Sequence, residues 1–122
     1  MTLQECYAAM GGNYEDVMSR LRSERLVQKF VLKFLADGSY DLLCRSLEEK
    51  DYENAFRAAH TIKGICQNLS ITRLGDSAAR LTDALRGGWT PGADALIEEV
   101  RRDYQNTVSA IRDFEAGKGP SA

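Results

Sequence analysis

The apolar residues of this 122-residue chain recur at helical spacing almost from one end to the other. Residues three and four apart share one face of an α-helix, whereas a half-buried strand needs alternation with a period of two, and no long segment alternates. The two prolines, Pro91 and Pro120, both stand where a helix is expected to start or to have ended. The pattern therefore predicts an all-α fold.

Breaks and caps divide this helical pattern into seven segments. Glycine-containing breaks at 11–12, 37–38 and 87–88 end three of the segments. Asn13 and Asp51 have short polar side chains that suit the N-cap of a helix. The predicted helices cover about 2–9, 14–22, 24–36, 39–49, 51–69, 71–86 and 91–115.

The last four predicted helices are joined by loops of roughly two to five residues, which make neighbouring helices antiparallel. The sequence thus predicts an up-down antiparallel four-helix bundle. The additional N-terminal helices are expected to pack on this bundle, because their own apolar faces need cover. A single helical domain is predicted over 1–116, followed by a tail over 117–122 that we expect to be disordered.

Composition excludes several classes of function. The formal net charge of −2 lacks the strong basic footprint of a non-specific nucleic-acid binder. Cys6, Cys44 and Cys66 are widely spaced and there is only one histidine, so no structural zinc motif is predicted. The N-terminus does not resemble a leader peptide, and there is no run of about eighteen apolar residues. We therefore expect a chain that is not secreted and has no membrane span. We expect a cytoplasmic protein.

The chain's only histidine, His60, lies on the predicted helix 51–69 but off its core stripe. Lys63, Gly64 and Gln67 share a second stripe with His60, centred about 130° away at 100° per residue. The core stripe consists of Ala55, Ala59, Ile62, Cys66 and Leu69.

This second stripe has an ordinary interpretation and a chemical one. An exposed histidine and a solvated lysine are common on helix surfaces. Gly64 is less ordinary, because glycine inside a helix costs about 1 kcal/mol relative to alanine, which suggests that something approaches closely there. A neutral imidazole is a good nucleophile for a phosphoryl group, and the nearby Lys63 ammonium would offset the arriving charge.

The next predicted helix forms a hairpin with the histidine-bearing one. Residues equidistant from its turn lie level, which places His60 beside Leu81 and Thr82. Thr82 and Arg86 are predicted on the flank of this helix, one turn apart. Thr82 is expected either to hydrogen-bond the imidazole or to face water, and these two alternatives stay open here.

These residues together resemble the histidine-containing phosphotransfer domain of bacterial phosphorelays. The resemblance is carried by Ala59-His60-Thr61-Ile62-Lys63-Gly64, then Asn68-Leu69, then Leu74, Ala78 and Leu81, and by the stretch from Gly11-Gly12 through Phe30 and Phe34.

The resemblance implies that His60 is phosphorylated through Nε2, that Lys63 steadies the phosphoryl group and that Gly64 admits the partner. Gln67, Thr82 and Arg86 become supporting candidates. The chain departs from the family in having Ser70 where a glycine often follows the Asn-Leu pair.

The implied partners are response-regulator receiver domains, with a hybrid sensor kinase as a further candidate. The receiver would supply Mg²⁺ and the catalytic acids, so no cofactor and no ATP site are expected on this chain, which would act as a monomer. Neither nucleic acid nor a membrane is expected as a partner.

Three other functions compete with this interpretation. The first is a non-catalytic helical-bundle interaction domain in which His60 is incidental. The second is the dimerisation and phosphoacceptor region of a sensor kinase, for which two helices would suffice. The third is a kinase-coupled input domain of the chemotaxis type. The start at Met1 and the short tail favour a free-standing protein over an excised domain.

Overall fold

A computed structural model describes residues 1–117, and in this range the chain forms seven α-helices and no named strand. The all-α prediction is confirmed. Within these residues no helix combines the length and the hydropathy that crossing a bilayer requires. The helices are α1 (Leu3–Met10), α2 (Tyr14–Leu21), α3 (Glu24–Phe34), α4 (Ser39–Glu48), α5 (Tyr52–Leu69), α6 (Thr72–Leu85) and α7 (Ala93–Glu115).

Four helices begin after a side-chain cap that the sequence makes recognisable. Thr2, Asn13, Ser23 and Asp51 each accept a hydrogen bond from the backbone N–H three residues later. Each cap satisfies one of the N–H groups that lack a partner within the helix. The starts of α1, α2, α3 and α5 therefore lie within about one residue of the prediction.

The last two helices begin without a side-chain cap, and only the start of α7 departs from the prediction by more than one residue. Ser70 ends α5 in the left-handed conformation, and α6 begins at Thr72, one residue later than predicted. The last helix begins at Ala93 and not at Pro91, because a turn closed by the Ala93 N–H on the Thr90 carbonyl, at 3.0 Å, precedes it.

Helices α4 to α7 form the bundle, in which each helix packs against the next one along the chain. The short connections between them make successive helices antiparallel. The core stripe predicted for α5 is buried throughout, and so are Leu74, Ala78, Leu81 and Leu85 of α6. These two helices approach closely at Gly75, where an added Cβ would lie 3.1 Å from the Cys66 Cβ.

The N-terminal segment closes the end of α5, in addition to packing α1 on α7. Four successive carbonyls, at 67–70, accept hydrogen bonds from it. Arg20 donates to the first two at 2.9 and 2.7 Å, the Tyr7 hydroxyl to the third at 2.7 Å, and the Asn13 N–H to the fourth at 2.8 Å. Carbonyls at a helix C-terminus have no partner within the helix, so these contacts anchor the last turn of α5.

Ser70 is the centre of this closure. Its φ of 54° is left-handed, a conformation that glycine adopts at less cost. The Ser70 hydroxyl donates to Asp16 Oδ2 and accepts from Arg20 Nη2, both at 2.6 Å, and Arg20 also pairs with Asp16. A serine is therefore useful at a position where the resemblance led us to expect glycine, because the hydroxyl joins α2 to the end of α5.

The predicted tail over 117–122 lies outside the described residues except for Gly117. Its disorder stays a prediction.

Candidate functional site

His60 lies near the middle of α5, with its side chain exposed. The nearer end of α5 is about 12 Å away at 1.5 Å per residue. The partial charges of the helix dipole at the two termini therefore act on His60 only weakly. Within residues 1–117 its imidazole makes no hydrogen bond and no ion pair, and its contact with another side chain is through the ring. Both ring nitrogens are thus open to a reactant.

The contact of the imidazole is with Phe56, one helical turn earlier. The two ring centroids are 6.2 Å apart and the planes differ by 15°. The Arg86 guanidinium lies over the Phe56 ring, with Cζ 5.3 Å from the centroid, and its Nη2 is 3.2 Å from Asp83 Oδ1. Arg86, Phe56 and His60 therefore form one stacked series that links α6 to the histidine.

Phe56 was not among the residues predicted for the site, although the sequence contains a signal for it. Residues four apart on a helix are neighbours, and an aromatic ring four residues before the only histidine is a candidate for stacking. The contact between Phe56 and Arg86 also agrees with the predicted register of the hairpin, because these residues are almost equidistant from its turn.

The other predicted residues of the stripe are placed as follows. Lys63 is half-exposed, one turn after His60, and makes no ion pair with the described residues. Gln67 is exposed on the same face of α5, but two turns away, a rise of about 10.5 Å. That separation is too long for the Gln67 side chain to contact a phosphoryl group on His60, although it can contact a docked partner.

Gly64 faces open space. A Cβ built at this position meets no heavy atom within 4 Å, apart from the helix's own nearby backbone. Its φ is not left-handed, so neither packing nor backbone conformation requires glycine there. Because Gly64 has no side chain, nothing projects from this position beside the imidazole.

Thr82 is not on the flank of α6, as the sequence predicted, but fully buried. Its hydroxyl donates to the Ala78 carbonyl at 2.7 Å, so it neither hydrogen-bonds the imidazole nor faces water. The reason is that α6 is covered by α5 on one side and α7 on the other, which widens its buried arc beyond the leucine stripe. A hydroxyl inside such an arc is satisfied by the carbonyl four residues earlier.

An apolar groove of about 540 Å³ lies between the N-terminal helices and α5. It reaches α5 at Ile65 and Asn68, immediately after Gly64, and the exposed Phe30 forms part of its wall. The charged residues of its lining are Arg20, Lys33 and Asp37. The open surface beside His60 therefore continues into an apolar depression.

The cysteine of the histidine-bearing helix is not part of the exposed site. Cys66 lies under the site in the core, where burial raises the pKa of its thiol to about 12. Within the described residues, no group of three or more His, Cys, Asp and Glu side chains is placed to hold a metal ion. The arrangement presents one accessible nucleophile, the His60 imidazole, with a cation one turn away.

Comparison with known families shows which family the chain belongs to. The family model described as Hpt domain matches residues 26–112, from α3 into α7, and this range includes His60. No curated protein and no solved structure matches the chain significantly. Hpt domains function in phosphotransfer in two-component signalling, as phosphocarriers without an ATP site of their own. The match covers well over half of the sequence, and the chain belongs to the Hpt domain family.

Proposed function

We propose that this protein is a phosphocarrier of a two-component phosphorelay, which accepts a phosphoryl group on His60 and passes it to a receiver domain. The observation that carries the proposal is the exposed imidazole in the middle of α5, inside the segment that matches the family. A cytoplasmic monomer is the form in which we expect it to act.

The transfer is a displacement at phosphorus. The lone pair of His60 Nε2 attacks the phosphoryl group of a receiver phosphoaspartate, the N–P bond forms, and the P–O bond to the aspartate breaks. The electron pair of that bond returns to the aspartate carboxylate. The neutral imidazole keeps its single N-bound proton on Nδ1, and the reverse displacement passes the group to a second receiver. Such reactions depend mainly on positioning and on stabilisation of charge.

Two features beside His60 support this role. Lys63 has a side chain free to turn toward a phosphoryl group, and an ammonium there would offset its negative charge. The open surface at Gly64 and the apolar groove after it offer a contact area for the receiver. We propose that the receiver brings Mg²⁺ and the acidic residues that bind it, so that this chain needs no cofactor of its own.

The test is transfer from a labelled receiver. Candidate receivers are phosphorylated on aspartate with ³²P, mixed with the parent protein or with His60→Gln, and separated by electrophoresis. The proposal predicts that label moves from at least one receiver to the parent, that the label on the parent is acid-labile, and that His60→Gln takes up none. If no receiver loses label to the parent, the alternative applies: a helical interaction domain in which His60 is incidental.

A further inference from the structure

The ring of Phe56 lies against the His60 side chain. We propose that Phe56 is a positioning residue, which holds the His60 imidazole in the orientation that presents Nε2 to the incoming phosphoryl group. This inference rests on the proposed function of His60.

The geometry of the two rings suits such a role. Centroids 6.2 Å apart with nearly parallel planes lie within the range of an offset aromatic stack. Phe56 contacts a face of the imidazole, whereas the reactive lone pair of Nε2 lies in the plane of the ring. The contact therefore restricts rotation of the imidazole without covering the atom that reacts.

The stack matters because nothing else among the described residues holds this side chain. The imidazole makes no hydrogen bond within 1–117, and the one candidate for such a bond, Thr82, donates to Ala78 instead. An exposed histidine without contacts samples several rotamers, and a reaction that needs in-line geometry proceeds only from some of them.

Phe56 is itself held from the neighbouring helix. The Arg86 Cζ lies 5.3 Å from the centroid of the Phe56 ring, within the usual distance for a cation–π contact. Asp83, one turn before Arg86, pairs with its guanidinium. The orientation of the imidazole thus depends on α6 as well as on its own helix, and the stack joins the two.

The experiment compares Phe56→Leu with Phe56→Tyr. Leucine keeps an apolar side chain but has no ring face, whereas tyrosine keeps the ring. Tyr52→Leu is the matched control, because Tyr52 is on the same helix, one turn before Phe56, and its ring lies 5.4 Å from Trp89 and not against the imidazole. Circular dichroism melting verifies that each variant is folded.

The first readout is the NMR spectrum of the unphosphorylated proteins. The carbon-bound ring protons of His60 are expected to move in Phe56→Leu toward the values of an unstacked histidine, and to stay near the parent values in Phe56→Tyr and Tyr52→Leu. The second readout is transfer from a phosphorylated receiver. Phe56→Leu is expected to lower the maximal rate of transfer by about 5- to 20-fold with little change in the receiver concentration at half-saturation, and Phe56→Tyr is expected to restore it.

Unchanged ring-proton shifts and an unchanged maximal rate in Phe56→Leu would overturn the inference while leaving His60 as acceptor. A parent protein that takes no label from any receiver would instead overturn the proposed function, and the positioning role with it. If Phe56→Leu does not fold, Arg86→Met removes the cation at an exposed position, and it must shift the His60 ring protons for the inference to stand.

Discussion

At the residue scale, two glycines on neighbouring helices differ in their surroundings: one leaves a surface open to a partner, and the other allows two helices to pack closely. Gly64 faces open space, whereas a Cβ at Gly75 would lie 3.1 Å from the Cys66 Cβ, an atom bonded directly to the α5 backbone. Gly64→Ala should raise the free energy of unfolding by about 0.5 to 1 kcal/mol. Gly75→Ala should lower it by about 1 to 3 kcal/mol, because the helices must move apart. Urea unfolding of both variants measures the difference.

A larger residue at the same open position tests whether the partner needs that space. Gly64→Gln should melt no lower than the parent, since glutamine is a good helix former. Its side chain would hold the receiver away from Nε2, and a displacement of about 1 Å can slow such a reaction on the order of 100-fold. Phosphorylation by acetyl phosphate, a small donor, should suffer less. A lower melting temperature with an unchanged transfer rate would show instead that Gly64 serves the helix.

The charge beside the histidine gives a separate prediction. Lys63→Ala should slow transfer, or shorten the lifetime of the phosphohistidine, by about ten-fold, because a unit charge near 4 Å is worth roughly 1 to 4 kcal/mol before screening. Lys29→Ala on α3 is the control, since it removes the same charge from an exposed position on another helix. If the two variants behave alike, Lys63 is only a solvated lysine.

The residues of the site differ in how far the sequence could predict them. The position of His60, Lys63 and Gly64 off the core stripe was predictable from spacing on a helical wheel, whereas their roles come from the family resemblance and stay proposals. The burial of Thr82 does not, because it depends on α7 covering α6 from the far side. The four-residue spacing between Phe56 and His60 allows their rings to stack, but the spacing alone does not indicate that they do.

At the scale of elements, the end of α5 depends on the N-terminal segment. Tyr7→Phe removes the hydroxyl that donates to the Leu69 carbonyl, and this carbonyl then lies in a buried region without its side-chain donor. The free energy of unfolding should fall by about 1 to 3 kcal/mol. Tyr14→Phe is the control, because the Tyr14 hydroxyl bonds the exposed Glu24. Equal stability of both variants would contradict the anchoring role of Tyr7.

The same contact region predicts a dependence of stability on pH. A hydrogen bond from Ser70, and to a smaller extent one from Arg20, holds the pKa of the Asp16 carboxyl below its ordinary value. The folded pKa is the lower one, so this contribution is complete above the unfolded pKa, near 4, and is lost as the pH falls through the folded pKa. Parent and Asp16→Asn should therefore differ in stability at pH 6 and converge toward pH 2. A difference that stays constant over this range would contradict the assignment.

Helix boundaries were predictable where the signal is local. A cap is a contact between residues three apart, so Asn13, Ser23 and Asp51 mark their helices in the sequence itself. Ser70 is different, because its left-handed φ is stabilised by contacts with Asp16 and Arg20, about fifty residues away. A sequence pattern does not reveal that pairing.

At the scale of the whole molecule, the family match begins at residue 26, and thus leaves α1 and α2 outside it. These helices nevertheless bond four successive carbonyls at the end of the histidine-bearing helix. The four-helix architecture was predictable from periodicity and loop length. The way the first two helices attach was not, because it depends on contacts between residues far apart in the chain.

The central claim is that His60 carries the phosphoryl group, and the most direct measurement is ³¹P and ¹H–¹⁵N NMR of the protein after incubation with a phosphorylated receiver. We expect one phosphohistidine signal, with the phosphoryl group on Nε2 of His60, which disappears in acid and is absent from His60→Gln. Phosphorus that stays bound to this protein in acid, or a phosphohistidine signal that persists in His60→Gln, would contradict it.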